Sequence, residues 1–361
     1  MNIKNFIVDE KTNILKAMEK IDDNQKGIVY VCQKNIVTGT ITDGDIRRYI
    51  LKGKSTFDCV LKIANMNPKT LSKAKANTAI SFMNEMKISS VPIVDDKKKL
   101  LYIVFSNGEK LYDTSNLNVP VVIMAGGKGT RLYPYTKILP KPLIPIGDIT
   151  ITEHIFNHFK QFGCDEFTMI VNYKKEFIKA YFKDNKIDNI NFVDELEFMG
   201  TGGGLKLLEN IITETFFLSN CDILVEENYV DIYNKHKKEK NILTIICAKK
   251  NIEIPYGVIH LTNHNQVNEL VEKPSFNYLT NTGFYVIEPE FLNEIPANTF
   301  VHVTDVIKKC IEKKLKVGVY IVEDNSWLDM GQLDELEIMK KRLEWLNKVI
   351  LIIGKNILSF N

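Results

Sequence analysis

A short segment of the chain combines a flexible backbone with fixed positive charge. Residues 119–124 form an apolar, β-branched run that predicts a buried strand, and three glycines follow it within four residues. Such a turn can bring several backbone N–H groups close to one anion. Arg131 and Lys141 add two cations, and backbone donors with fixed cations suit a triphosphate. The loop residues predicted to contact the nucleotide are Ala125, Gly126, Gly127, Gly129 and Thr130.

Two common phosphate-binding loops do not fit this segment. A dinucleotide-binding fingerprint has a third glycine where this chain has Leu132. A P-loop has a glycine five residues before its Gly-Lys pair and Ser or Thr after it, where this chain has Val122 and Gly129. A strand-to-helix turn without a ligand is the alternative, and it accounts for the glycines but for neither cation. The sequence therefore predicts a nucleotide-phosphate site of another type.

Two aspartates further along the chain have the chemistry of a magnesium site. Asp222 follows directly after an apolar strand, and Asp329 lies far downstream in the segment 326–331. Two carboxylates beside a triphosphate suit Mg²⁺, whose other positions phosphate oxygens and water would fill. A single aspartate at a strand end is more often a helix cap, so the prediction depends on the pair.

These motifs together resemble the sugar-1-phosphate nucleotidyltransferases. The G-G-x-G-T-R-L run at 126–132 and the P-K-P-L run at 140–143 match the signature of that family. The resemblance covers about 119–345 and implies an enzyme that converts an NTP and a sugar 1-phosphate into an NDP-sugar and pyrophosphate, with Mg²⁺ as cofactor. It implies that Arg131 holds the β- and γ-phosphates and that Lys141 neutralises the α-phosphate. The catalytic residues that it implies are Arg131, Lys141, Asp222, Lys273 and Asp329, with Asp222 and Asp329 as the metal ligands.

The same resemblance implies contacts with the sugar and the base. An E-K-P motif at 272–274 places a carboxylate on sugar hydroxyls and Lys273 on the sugar phosphate. The expected sugar-binding residues are Gly257, Glu272, Asn281 and Thr282. The segment 199–205 resembles the base-binding loop, whose glycines let the backbone approach a planar base edge. The expected base-binding residues are Gly200, Thr201, Gly202 and Gly203. The form of this loop favours GTP, although uridylyl and cytidylyl relatives carry similar loops.

The first 115 residues contain a weak internal repeat with an offset of 63. The run 28–31 aligns with 91–94, and each half predicts a helix, two short strands and a second helix. The region resembles a pair of cystathionine-β-synthase (CBS) domains. A regulatory nucleotide is expected at the first corner, on Thr42, Asp45 and Arg47, because the hydroxyl and carboxylate suit a ribose and a helix N-terminus faces phosphate. The second corner, 105–109, departs from the pattern, and a pair that binds no ligand is the alternative.

The order of elements predicts the fold class. From residue 119 strands and helices alternate, which favours a Rossmann-like, mostly parallel mixed sheet of α/β class with its ligand crevice at the strand C-termini. An α+β CBS pair precedes it. The expected division is a CBS pair at 1–115, a catalytic domain at 119–345 and an apolar tail at 346–361 that packs on the body or on a partner subunit. A homo-oligomer is expected.

Composition excludes several classes of partner. The net charge is +2, with lysines scattered along the chain, so no nucleic-acid-binding face is predicted. The six cysteines are widely spaced without a C-x-x-C pair, which favours reduced thiols in a cytoplasmic protein. No apolar run approaches the length of a membrane span and no signal peptide is visible.

The fusion of a CBS pair with this catalytic domain resembles the guanylyltransferases of legionaminic acid synthesis. It implies GTP and glucosamine 1-phosphate as substrates. One alternative is a heptose- or hexose-1-phosphate guanylyl- or uridylyltransferase. Another is a non-catalytic, nucleotide-sensing regulatory protein, and the complete set of charged residues argues against it because a sensor needs none of them for catalysis.

Overall fold

The computed structural model describes residues 3–112 and 116–341. These two ranges are compact units, called below the first and the second unit. The predicted tail at 346–361 lies outside the described residues. In the described part of the chain, no helix is both long enough and apolar enough to cross a membrane.

The first unit is built from short strands and helices that form two small sheets. Its α-helices are α1 (Ile14–Asn24), α2 (Asp43–Ile50) and α3 (Ala79–Met86). Its strands are β1 (Ile7–Asp9), β2 (Ile28–Gln33), β3 (Ile36–Thr42), β4 (Leu71–Ser72), β5 (Ser90–Val94), β6 (Leu100–Phe105) and β7 (Lys110–Tyr112). One sheet has the order β1–β2–β3 and the other the order β4–β5–β6–β7. The two halves therefore repeat a helix followed by an antiparallel strand pair, as predicted.

The prediction of a second helix at the end of each half is wrong for the second half. In the first half, Thr42 caps α2 and Asp45 completes the capping box. At the equivalent place Phe105 and Gly108 offer no such cap, and the Gly108 N–H donates to the Phe105 carbonyl at 2.8 Å in a tight turn with φ of +83° at the glycine. The chain therefore folds back, and β7 pairs antiparallel with β6 where a helix was expected.

The second unit alternates strands and helices. Its α-helices are α4 (Tyr135–Ile138), α5 (Ile151–Gln161), α6 (Lys175–Asp184), α7 (Gly200–Gly203), α8 (Tyr229–Glu239) and α9 (Val303–Glu312), and residues 333–341 are also helical. Its strands are β8 (Val121–Ala125), β9 (Pro145–Ile146), β10 (Ile149–Thr150), β11 (Phe167–Val171), β12 (Ile190–Asp194), β13 (Phe216–Asn220), β14 (Ile223–Val225), β15 (Leu243–Glu253), β16 (Val258–Leu261), β17 (Val267–Val271), β18 (Ser275–Ile287), β19 (Val317–Glu323) and β20 (Trp327–Asp329).

A seven-stranded sheet organises this unit, with the order β12–β11–β8–β13–β18–β15–β19. The four strands from β12 to β13 are parallel, as are β15 and β19, and β18 runs antiparallel to both of its neighbours. The predicted mostly parallel mixed sheet is therefore confirmed. Because parallel strands point the same way, the segments that follow β8, β12 and β13 leave from one edge of the sheet.

Helices and aromatic side chains cover the sheet. Helix α5 begins at a capping box between Thr150 and Glu153, and its Phe159 ring lies 5.6 Å from Phe217 and 5.7 Å from Phe284, centroid to centroid. Tyr229 of α8 lies 4.9 Å from Phe284. These fully buried rings fix the helices to β13 and β18, the strands that lead into the candidate site.

Candidate active site

The glycine-rich segment forms a tight loop directly after β8. Gly129 has φ of +64°, a conformation that favours glycine, and the Thr136 hydroxyl donates a 2.8 Å hydrogen bond to its carbonyl. Leu132 is fully buried and anchors the end of the loop, whereas Gly127 and Thr130 are exposed. The loop therefore presents a stretch of solvent-accessible backbone between two buried anchors, which suits the predicted contact with phosphates.

A polar cavity of about 330 Å³ lies beside this loop. It contains the loop cation Arg131 together with both predicted metal ligands and residues from the segments after β13, in β18 and at the start of α9. Residues that line it include Arg131, Thr201, Asn220, Asp222, Asn281, Thr282, Tyr285, His302, Thr304, Trp327 and Asp329. The structure thus brings residues from more than a hundred positions apart to one place.

A two-stranded sheet joins the two aspartates. Strand β14 pairs antiparallel with β20, so that Ile223 lies opposite Asp329. The Met330 N–H donates a 2.9 Å hydrogen bond to the carbonyl of Asp222, which locks the register. Asp222 and Asp329 therefore reach the same cavity, although they are 107 positions apart in the sequence.

The carboxylates share a site with one ammonium group. Burial and the nearby carboxylates of Asp222 and Glu335 raise the pKa of Asp329 to about 6, and Lys141 opposes that shift. Lys141 itself is ion-paired with Asp222, and both side chains are nearly buried. Two close carboxylates facing one ammonium leave excess negative charge, which a divalent cation would balance.

The two aspartates can supply some of the oxygen ligands that Mg²⁺ needs, but not all of them. Asp222 and Asp329 are the candidate ligands, and no cluster of three or more His, Cys, Asp or Glu residues that could hold a metal occurs in the described ranges. Oxygen atoms from outside the protein would have to complete the coordination. A nucleotide triphosphate and water supply such atoms, as the sequence predicts.

The glycines of the segment 200–204 serve close packing within the unit. A Cβ atom on Gly200 would lie 2.6 Å from the Val301 carbonyl oxygen, and one on Gly203 would lie 2.6 Å from the Thr299 carbonyl oxygen. The Val303 N–H donates a 3.2 Å hydrogen bond to the Thr201 hydroxyl, so the helix α7 is held against the start of α9. Thr201 lines the cavity, and the role of Gly200, Gly202 and Gly203 in base binding stays a prediction.

Glu195 is a candidate site residue that the sequence analysis missed. Its side chain is buried, with 1% of the residue exposed, and its Oε1 accepts a 2.8 Å hydrogen bond from the Met199 N–H. Its Oε2 has no hydrogen-bond partner among the described residues, and a Cβ on Gly126 would lie 2.8 Å from it. Burial raises the pKa of this carboxyl. An unpaired acceptor therefore lies beside the phosphate loop.

A sequence signal for Glu195 existed. The residue follows β12, and β12 is parallel to β11 at the same edge of the sheet as the phosphate loop. An acidic residue after a parallel strand is placed at the crevice where such sheets bind ligands.

The predicted sugar-binding residues separate into two groups. Asn281 and Thr282 line the cavity, and the Asn281 amide donates a 2.7 Å hydrogen bond to the Tyr285 hydroxyl. The Thr282 hydroxyl donates to the Ile246 carbonyl at 2.7 Å and is buried, so it supports the backbone. Gly257, Glu272 and Lys273 lie outside the cavity lining, although a Cβ on Gly257 would come within 3.0 Å of Glu272 Oε2.

Two of the three predicted ligand residues of the first unit, Thr42 and Asp45, are hydrogen-bonded to each other. Asp45 Oδ2 accepts hydrogen bonds from the N–H of Thr42 at 2.9 Å and from its hydroxyl at 2.6 Å. Burial would raise the pKa of Asp45, but the Thr42 hydrogen bonds and Arg48 lower it overall. Arg47 is ion-paired with Asp43. The nucleotide site at this corner stays a prediction.

Comparisons with known proteins agree with the fold of both regions. The family described as Nucleotidyl transferase matches residues 120–344, and the CBS domain family matches residues 1–52. The crystal structure of HddC from Yersinia pseudotuberculosis covers 62% of this chain and 99% of its own, with a TM-score of 0.50 and 21% identity. That likeness supports the fold alone.

Two curated relatives each match 58% of the chain. The bifunctional protein GlmU from Methanococcus aeolicus is 33% identical over 220 residues, which is 58% of this chain and 51% of that protein. The mannose-1-phosphate guanyltransferase from Saccharomyces cerevisiae is 30% identical over 222 residues, or 58% of this chain and 61% of that protein. The chain thus spans between half and two thirds of the length of these relatives. Since the Nucleotidyl transferase family covers more than half of it, the chain belongs to that family and carries an N-terminal CBS domain.

Proposed function

We propose that the protein is a sugar-1-phosphate guanylyltransferase, which converts GTP and a sugar 1-phosphate into a GDP-sugar and pyrophosphate. The observation that supports the enzyme class is the convergence of Arg131, Asp222 and Asp329 on one cavity, with Lys141 bonded to Asp222. These are charged groups with no part in a hydrophobic core. Phosphoryl-transfer sites need such preorganised charge more than they need a covalent catalyst.

In the proposed reaction an oxygen of the sugar phosphate attacks the α-phosphorus of GTP. The bond between the α-phosphorus and the α–β bridging oxygen breaks in line, and pyrophosphate leaves with its electrons. Arg131 and the loop amides hold the β- and γ-phosphates, while Lys141 moves from Asp222 to the α-phosphate. Mg²⁺, held by Asp222 and Asp329, would supply neutralisation of the developing negative charge. Removing one such charge typically costs about 10²–10³ in rate.

Glu195 supports guanine as the base. Guanine presents two adjacent donors on its Watson–Crick edge, N1–H and the N2 amino group. Both can donate to the one unpaired oxygen, Oε2, because an ionised carboxylate oxygen has two acceptor sites, while Oε1 keeps its hydrogen bond from the Met199 N–H. Uracil and thymine offer one ring N–H, and cytosine offers one amino group, so none of the three bases offers two adjacent donor groups. Glu195 Oε2 is buried, has no partner among the described residues and lies beside Gly126 of the loop. Yeast mannose-1-phosphate guanyltransferase, as its name states, transfers a guanylyl group, which agrees with this assignment.

The identity of the sugar has the least direct support of the proposed assignments. The resemblance of the fusion favours glucosamine 1-phosphate in legionaminic acid synthesis, and the alternative is a heptose or hexose 1-phosphate. Polar groups of Asn281, Thr304 and Trp327 line the cavity and can contact sugar hydroxyls. A non-catalytic nucleotide sensor is the second alternative, and it would leave the Asp222–Asp329 pair without a purpose.

Pyrophosphate release tests the proposal directly. The full chain is incubated with Mg²⁺, each of GTP, UTP, CTP and dTTP, and a panel of sugar 1-phosphates that includes glucosamine 1-phosphate. GTP with at least one sugar 1-phosphate should give the highest kcat/KM. Equal or better use of UTP would reject the guanylyl assignment, and no release with any pair would reject the enzyme class.

A substitution at Glu195 tests the role of its carboxylate. Glu195→Gln replaces one acceptor with a donor, so the guanine N–H groups lose a partner, at about 1–3 kcal/mol per buried hydrogen bond. The kcat/KM for GTP should fall roughly tenfold to a hundredfold, with a smaller fall for UTP. Glu197→Gln, at an exposed position two residues away, is the matched control and should change neither value.

A further inference from the structure

One tyrosine of the apolar core reaches the candidate active site. The ring of Tyr285, in β18, packs within the same buried cluster as Leu218 and Val306. Only 3% of the residue is exposed, yet Tyr285 lines the cavity that contains Arg131 and the two aspartates. Because buried tyrosine hydroxyls normally have a hydrogen-bond partner, the partners of this hydroxyl indicate what the residue does at the site.

The side chain of Asn281 is largely committed to hydrogen bonds within the protein. Its amide nitrogen donates to the Tyr285 hydroxyl at 2.7 Å, and its carbonyl oxygen accepts a 3.0 Å hydrogen bond from the Gly283 N–H. Asn281 and Tyr285 are four positions apart in β18, and Gly283 between them has no side chain that could block the amide. The resemblance implies Asn281 as a sugar ligand, but these bonds hold its amide against Tyr285.

The Tyr285 hydroxyl keeps its own hydrogen for a further acceptor. A hydroxyl can accept and donate at once, and the bond from Asn281 uses only its accepting side. In the parts of the chain that the structure describes, no acceptor is bonded to that hydrogen. Burial raises the pKa of Tyr285 to about 12, although the Asn281 bond opposes the shift, so the hydroxyl is protonated at neutral pH. An oriented donor is therefore available at the cavity.

The neighbouring hydroxyl of β18 is in the opposite state. Thr282 also lines the cavity, but its hydroxyl donates to the Ile246 carbonyl at 2.7 Å and accepts a 3.3 Å hydrogen bond from the Phe284 N–H. Both of its hydrogen-bonding functions are thus used within the sheet. Of these two hydroxyls, only that of Tyr285 keeps a donor for a ligand.

We propose that the Tyr285 hydroxyl donates a hydrogen bond to an oxygen atom of the sugar 1-phosphate, and that Asn281 is a positioning residue that orients this hydroxyl. The proposal rests on the proposed guanylyltransferase function, because it names a substrate contact of that site. A sugar 1-phosphate carries acceptor oxygens on its hydroxyls and on its phosphate group. A bond of this kind holds the ground state and the transition state alike, so its loss should raise KM more than it lowers kcat.

Steady-state kinetics of the full chain test the proposal, with the sugar 1-phosphate that the wild type uses best. Tyr285→Phe removes the hydroxyl and keeps the ring in the core. The KM for the sugar 1-phosphate should rise about fivefold, as for one neutral hydrogen bond, while kcat and the KM for GTP should stay within about twofold. Tyr181→Phe is the matched control, since Tyr181 lies on α6 and its hydroxyl donates to Glu153. It should change none of the three values.

A double-mutant cycle tests the positioning role of Asn281. If Asn281 acts through Tyr285, Asn281→Ala should raise the KM for the sugar 1-phosphate in the wild type but should add little in Tyr285→Phe. Additive effects would show that Asn281 contacts the sugar by itself and would contradict that role.

Monodeoxy derivatives of the same sugar 1-phosphate identify the acceptor oxygen. A derivative that lacks the acceptor hydroxyl should have the same KM with the wild type and with Tyr285→Phe. If the acceptor is a phosphate oxygen, the difference between the two proteins should persist with every derivative.

The outcomes separate this proposal from the proposed function. If the wild type releases pyrophosphate and Tyr285→Phe keeps its KM for the sugar 1-phosphate, or raises only the KM for GTP, the contact is refuted and the enzyme class stands. A wild type that releases pyrophosphate with no substrate pair refutes both. If Tyr285→Phe does not fold, Asn281→Ala gives the decision, and an unchanged KM for the sugar 1-phosphate overturns the proposal.

Discussion

The ammonium group of Lys141 is ion-paired with the carboxylate of Asp222, and both side chains are nearly buried, with 12% and 11% exposed. Lys141 is the candidate cation for the α-phosphate and Asp222 is a candidate ligand of Mg²⁺. In the unliganded protein the two groups therefore neutralise each other. A metal ion and the Lys141 ammonium compete for the same carboxylate oxygens, so metal binding should be weak until a phosphate draws Lys141 away.

We expect Lys141→Met to bind Mn²⁺ more tightly than the wild type when no nucleotide is present. Removing the ammonium frees Asp222, and an affinity gain of roughly tenfold corresponds to about 1.4 kcal/mol. The same variant should lose most of its turnover, since the α-phosphate loses its cation. Electron paramagnetic resonance of free Mn²⁺ at pH 8 gives the affinity.

Lys137→Met is the control for this experiment, because Lys137 is exposed on the neighbouring helix α4. Its metal affinity should equal that of the wild type. Equal or weaker Mn²⁺ binding by Lys141→Met would show that the ion pair does not restrain the metal site. Loss of turnover alone would not support the competition.

The raised pKa of Asp329 predicts a stability change that depends on pH. Its folded-state pKa is about 6, above the ordinary value of 3.8, because of burial and the Asp222 and Glu335 carboxylates. Between these values the folded protein holds a proton that the unfolded chain releases. This group therefore favours folding most below pH 4, and that contribution is lost as the pH rises through 6.

Asp329→Asn should accordingly raise the melting temperature at pH 8 in the presence of EDTA, and should change it little at pH 4.5. It should also remove most Mg²⁺-dependent turnover, because the metal loses a ligand. Asp324→Asn is the control, since Asp324 is exposed and its ion pair with Lys250 is worth little. A variant that is destabilised equally at both pH values would argue that Asp329 is structural.

The local sequence predicts the individual strands and residues of the site, but it does not predict which distant residues meet there. The apolar run before Gly126 identified β8, and Asp222 was correctly placed after a strand because both signals are local. The pairing of β14 with β20 depends on long-range contacts that no local pattern contains. The family resemblance therefore predicts that Asp222 and Asp329 lie close together, whereas their spacing in the sequence does not.

The glycines of the segment 200–204 show what residue type alone does not specify. They predict a close approach of the backbone to a base, and the structure places backbone atoms of residues 299–303 close to Gly200, Gly202 and Gly203. Contact of these glycines with a base stays a prediction. A sequence shows that the backbone must come close to something but does not show to what. The prediction of a helix after Phe105 is wrong because this segment lacks the capping pair that begins α2 in the first half. The chain forms the strand β7 there.

Gly202→Ala should destabilise the protein, because its Cβ would lie 2.8 Å from the carbonyl carbon of His302 and 2.9 Å from the Val303 nitrogen. Overpacking against backbone costs about 1–3 kcal/mol. The matched control is Gly127→Ala in the phosphate loop, where a Cβ would meet nothing within 4 Å. Urea unfolding curves give both values. Equal midpoints for the two variants would show that the segment has room for a side chain.

The first unit provides the last prediction, which concerns a regulatory nucleotide at Thr42 and Asp45. The carboxylate of Asp45 is held in place by Thr42, so a ribose could meet an acceptor that is already oriented. Asp45→Ala should abolish the binding of AMP, ADP or ATP to the full chain. Because Asp45 completes the capping box of α2, it should also cost about 1 kcal/mol of stability.

Asp43→Ala separates binding from folding in this experiment. Asp43 is also in the first turn of α2 but is exposed and paired with Arg47. Calorimetry should show adenine nucleotides binding to the wild type and to Asp43→Ala, but not to Asp45→Ala at a temperature where all three are folded. Turnover with GTP at saturating sugar phosphate should be unchanged by Asp45→Ala in the absence of adenine nucleotide. If the wild type binds none of the three nucleotides more tightly than about 1 mM, equal to roughly 4 kcal/mol, the corner is structural, and Asp45 serves only to begin the helix.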